Sequence, residues 1–130
     1  MSENTLTKTK PEIEIDEQII EELLSDVNNE AQVTVHCRYP RRGVVRIWKS
    51  TYLVPHNSAE RSKLLHHENI SLYPKWTEVE SNGLNFTLIF SRLPKDCAVF
   101  DLIESIPEPG GFIVKNIKRN KSDVYFVEIY

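Results

Sequence analysis

The stretch FTLIFSRLPKDCAVFDLIE, residues 86–104, decides the fold. Phe86, Leu88 and Phe90 alternate with Thr87 and Ile89, and Leu84 extends the pattern backwards. One face of an extended segment therefore carries a row of large apolar groups. Leu93-Pro94 breaks that run, and Lys95-Asp96 supplies polar turn material. Cys97, Val99, Asp101 and Ile103 then alternate with Ala98, Phe100 and Leu102, which predicts the next strand.

Working outward, the same period of two recurs. QVTVHCRY at 32–39 alternates Val33, Val35, Cys37 and Tyr39 against polar residues. PRRG turns, and VVRIWKSTYLV follows as a long β-rich run ending at Pro55, which reads as a hairpin. HNSAERSK is a polar loop, NISLYP a short strand closed by Pro74, WTEVE a weak strand and SNG at 81–83 a turn. Downstream, PEPGG at 107–111 is a strong turn signal, and FIVKNIK and DVYFVEIY form two final strands joined by RNKSD. Seven or eight strands at this spacing predict an antiparallel β-sandwich over 31–130, with Val35, Trp48, Phe86, Leu88, Phe90, Phe100 and Val127 in its core.

The N-terminal part differs. Residues 1–15 are polar and read as a disordered tail. In 16–30, Ile19, Ile20, Leu23, Leu24 and Val27 fall at helical spacing among acids, which predicts an acidic amphipathic helix with Ile20 and Leu24 as docking residues. Residues 1–30 hold nine acids against Lys8 and Lys10, a net charge of −7, while 31–130 hold 14 basic and 10 acidic residues, a net of +4. That body is too weakly basic for a dedicated nucleic-acid binder. The 130-residue chain has room for one core and has no apolar run long enough to span a membrane. No export signal is read at the N-terminus, so a cytoplasmic location with reduced Cys37 and Cys97 is expected.

The TYLV strand end at 51–54, the polar loop after it, and NGLNFTLIFSRLPKDCAVFDLIE at 82–104 resemble an immunoglobulin-type β-sandwich. The pattern is most similar to telokin-like domains of bacterial proteins of unknown function. Cys37, Trp48 and Cys97 follow the spacing of the immunoglobulin cysteine–tryptophan–cysteine set, with Lys95 where those domains carry a tyrosine. The resemblance implies a binding or adhesion module rather than an enzyme.

Three groups of residues carry candidate chemistry. CRYPRRGVVRIWK offers Arg38, Tyr39, Arg41, Arg42, Arg46 and Trp48, and interleaved arginine and aromatic groups suit partner or anionic-ligand contact. His66, His67 and Glu68 are zinc-type donors, although adjacent residues of an extended chain point to opposite faces. Asp101 and Glu104, and the neighbours His36 and Cys37, are read as structural, with Asp101 partly buried and paired with an arginine or lysine. The expected function is a non-catalytic protein-interaction or ligand-binding module without a cofactor. Its partner is another protein or a second copy. The alternatives are nucleic-acid or anionic-ligand binding through 38–49, and a small metal-dependent enzyme using His66, His67 and Glu68.

Overall fold

The computed structural model describes residues 31–129. The expected tail at 1–15 and the acidic helix at 16–30, with Ile20 and Leu24, lie outside the described residues. Nine strands follow in chain order: β1 (Val33–Tyr39), β2 (Gly43–Val45), β3 (Thr51–Pro55), β4 (Ser62–Glu68), β5 (Thr77–Val79), β6 (Leu84–Phe90), β7 (Val99–Glu104), β8 (Ile113–Lys118) and β9 (Val124–Glu128). Seven form one sheet in the order β8-β7-β3-β4-β6-β1-β9, and β2 pairs with β5 in a second, two-stranded sheet. The domain is mainly β, as the alternating pattern requires.

The large sheet bends at β4. The first part of β4 pairs with β3 through Tyr52–Lys63 and Leu53–Ser62, and the later part pairs with β6 from Leu64 to Glu68. The register shifts between Leu64 and His66. An irregularity of this kind lets one strand turn the corner between two facing layers. Phe100 on β7 meets Tyr125 on β9 edge-on at 5.0 Å, and Phe86 on β6 stacks on Phe112 at 6.4 Å. Strands distant in the sheet order thus meet across one core. That core contains Val33, Val35, Leu53, Phe86, Leu88, Phe90, Phe100 and Leu102. Each such side chain contributes about 1.5–3 kcal/mol when removed from water.

Several expectations need correction. The 38–49 segment is not a hairpin, because β1 and β2 do not pair with each other. β1 already has a neighbour on each side, β6 antiparallel and β9 parallel, and β2 leaves for β5. The parallel β1–β9 pair also breaks the all-antiparallel expectation. SKLLHHE, read in part as loop, is strand β4, while NISLYP contributes only an isolated bridge from Leu72 to Ile47. Trp48 is not a core residue. Val45 and Ile47 take the inward positions of its segment and leave Trp48 half-buried on the rim. Val127 is partly buried against the core rather than inside it. The core face of β7 is Phe100–Leu102–Glu104, so Glu104 is the deeply buried acid, and Asp101 faces the other way.

Candidate functional site

Two segments distant in sequence meet beside the small sheet. After β2 the chain runs through Arg46, Ile47 and Trp48, and before β5 it runs through Leu72, Tyr73, Pro74 and Trp76. The Ile47 N–H donates to the Ser71 carbonyl at 2.8 Å, and the Tyr73 N–H donates to the Ile47 carbonyl at 2.8 Å. These two bonds hold the segments side by side. Ile47 points inward, so its neighbours Arg46 and Trp48 point out, onto Tyr73 and Trp76.

The result is a stacked ledge. Trp48 lies on Tyr73 with ring centroids 3.8 Å apart. The Arg46 guanidinium lies 3.8 Å from the Trp76 ring centre, 4.6 Å from Tyr73 and 5.8 Å from Trp48. It also donates to the Pro74 carbonyl at 3.2 Å and approaches Glu108 at 3.8 Å. A planar cation over aromatic faces contributes about 0.5–2 kcal/mol per contact and costs little ordering entropy in use. Trp76 remains 53% exposed, and Tyr73 and Val44 are exposed beside it. A cleft of about 280 Å³ opens next to the ledge, walled by Tyr39, Arg41, Trp48, Trp76, Ile106 and Glu108. Arg41 stacks on Tyr39 at 5.3 Å at its edge.

Glu104 forms the floor of the cleft and latches it. Its two carboxylate oxygens accept the Trp48 N–H at 3.0 Å and the Phe112 N–H at 3.1 Å. Burial pushes its carboxyl above the usual range, and the two N–H donors offset part of that rise. Gly111 is required nearby, because a Cβ there would collide with the Glu104 carbonyl oxygen. The latch ties the end of β7 to both walls of the cleft.

The other sequence candidates separate. Arg38 leaves the ledge and donates to the Asn85 side chain at 3.0 Å and the Asn82 carbonyl at 2.6 Å, fastening β1 to the 81–85 turn. Gly83 of that turn has φ +85°, and an added Cβ would reach within 2.7 Å of the Tyr39 carbonyl oxygen. Arg42 sits with Glu78 and Glu80, so acids interrupt the expected basic run. His66 approaches Glu68 at 3.4 Å, while His67 Nδ1 lies 2.9 Å from the Ile70 carbonyl. Among the described residues no three His, Cys, Asp or Glu groups are placed to hold a metal ion. Cys37 and Cys97 are unbridged and buried. Burial pushes the Cys37 thiol up to about 12, and His36 points to the opposite face, where it meets Thr87 at 2.9 Å. Asp101 pairs with His56 at 2.8 Å rather than with an arginine or lysine, and accepts the Asn116 N–H at 2.8 Å.

Sequence reasoning found Arg46 and Trp48 but missed Tyr73, Trp76, Glu104 and Glu108. The available signal was LYPKW, where Tyr73, Pro74 and Trp76 fall within four residues of a segment with weak strand alternation. A second concavity, of about 520 Å³, lies on the far face of the large sheet between Glu68, Asn85, His36 and Phe126. No helix among the described residues is long and apolar enough to cross a membrane. No protein-family model, curated protein or solved structure matches the chain.

Proposed function

We propose that this domain is a non-catalytic recognition module with an immunoglobulin-like layered β architecture, and that it binds a protein partner through the arginine–aromatic ledge. The observation that carries the reading is Arg46 stacked against Trp76 and Tyr73 while Trp76 stays 53% exposed. Tryptophan, tyrosine and arginine are the residues that most often dominate the energy of protein interfaces, and here they are held rigidly around a cleft. The interleaved Glu78, Glu80 and Glu108 favour a partner of mixed charge over a nucleic acid, whose phosphates they would repel.

The test uses a built-in reporter, because the chain has two tryptophans and both belong to the ledge. A protein captured by the full chain is purified and titrated back while tryptophan emission is followed. Arg46→Ala and Trp76→Ala are each expected to weaken binding at least about tenfold, a loss of about 1.4 kcal/mol. Single-stranded DNA and RNA are titrated in parallel. Equal capture by both variants with unchanged emission overturns the reading, and a strongly salt-dependent response to oligonucleotides alone replaces it with the nucleic-acid alternative.

A further inference from the structure

The two edges of the large sheet are finished differently. Its β8 edge is blunted: Lys115 and Lys118 are exposed, Asn116 sits at φ 61°, and the register with β7 slips between Phe100 and Leu102. Lysines and bulges are how proteins keep a sheet edge from recruiting another strand. The β9 edge has none of these devices. Val124–Glu128 reads VYFVE, with neither lysine nor proline, and pairs with β1 in unbroken register over five residues. Phe126 at its centre is 79% exposed.

The backbone of this edge faces outward at defined positions. At the two ends of the β1–β9 ladder, the Thr34 N–H donates to the Asp123 carbonyl at 2.9 Å and the Ile129 N–H to the Arg38 carbonyl at 2.8 Å. In a parallel ladder this phase directs the backbone groups of Tyr125 and Val127 to β1. The N–H and C=O of Phe126 therefore point away from β1, to the side where no further strand lies among the described residues. A β-strand is the chemical complement of such an edge.

We propose that β9 pairs with β9 of a second copy of this chain, antiparallel, about a two-fold axis at Phe126. The register is self-complementary. Phe126 faces its own equivalent, exchanging both backbone hydrogen bonds, and the two rings lie side by side on the outer face above His36, which already stacks on Phe126 at 4.9 Å. The single acid of the strand, Glu128, falls opposite Val124 of the copy, so no like charges meet across the pair. The Val124 carbonyl accepts the Asn120 side chain at 2.9 Å and keeps a second lone pair for the incoming strand. The pairing is isologous and closes on itself as a dimer instead of propagating into a fibre.

Sedimentation equilibrium of the full chain across a wide concentration range tests this. A reversible monomer–dimer equilibrium is expected. Phe126→Pro removes an N–H that the β1 ladder does not use, so the fold should survive and the dimer weaken by at least about tenfold. Phe126→Lys places a charge at the axis of both strands and should have the same effect even if the proline variant misfolds, which circular dichroism would reveal. Trp76→Ala should leave the dimer intact, which separates this edge from the ledge. The proposal is overturned by a chain that stays monomeric at every concentration, by a dimer that survives both Phe126 variants, or by one that Trp76→Ala dissolves.

Discussion

The seven-stranded sheet sends Val35, Leu88, Phe90, Phe100 and Leu102 into one core with no exposure at all, whereas β2 and β5 contribute three residues each and bury only Val45 and Val79. The first region is held by apolar burial spread over many strands. The second is held by a few directed contacts: the Glu104 latch, the Arg46 stack, and the Thr77 hydroxyl, which accepts the Ser71 N–H and bonds its side chain, each at 2.7 Å. Exposed aromatic groups can be presented from the second region because the first supplies the stability. Changes to the large sheet should therefore act on the whole domain, and changes to the small one should act on the ledge.

The largest expected effect breaks the large sheet. Phe86→Ala should cost about 3–5 kcal/mol, read as a shift of the denaturation midpoint, because Phe86 is fully buried and meets Phe112 across the core. A loss below about 1 kcal/mol would mean that the two layers are not a single core.

Glu104→Gln joins the two regions and comes next. An amide supplies only one acceptor oxygen for two N–H donors, so one donor is left unpaired and stability falls by about 1–3 kcal/mol. Because burial raises the folded carboxyl above its ordinary value, the stability it contributes is full below the ordinary glutamate range and is lost as pH rises through the folded value. In the Gln variant that slope should vanish from a pH series of denaturation curves.

Arg46→Ala should cost about 0.5–2 kcal/mol and act locally. Tryptophan emission should shift to longer wavelength as Trp76 and Trp48 lose their cover, while the far-ultraviolet dichroism of the large sheet stays unchanged.

The smallest effect is Asp101→Asn, on the outer face of β7. Burial pushes the Asp101 carboxyl up, but the Asn116 N–H and His56 outweigh it and leave the carboxyl below its ordinary value. Its stabilisation is present above the ordinary aspartate range and is lost as pH falls through the folded value. The variant should lose about 0–1 kcal/mol at neutral pH and show a flatter acid limb in thermal melts.

Alternation located β1, β6 and β7, because period-two burial is written in each of those strands by itself, while β8 and β9 were legible as apolar runs between turn signals. It missed most of β4, whose side chains are largely exposed or half-buried, so that SKLLHHE carries little apolar pattern although its first part pairs with β3 and its later part with β6. It also placed Trp48 inside, since a tryptophan in a β-rich run satisfies the same pattern whether it faces the core or a rim.

Which strands carry an alternating buried face was thus a local property of the residues. Which strands pair was not, because backbone hydrogen bonds are the same for any partner and only the joint burial of both layers selects among them. That is why Pro40-Arg41-Arg42-Gly43 reads as a hairpin turn yet β1 takes β6 and β9 as neighbours. The ledge follows the same rule. The sequence supplied Arg46 and Trp48, but Tyr73, Trp76, Glu104 and Glu108 reach them only once Ile47 is buried and the chain has closed around it.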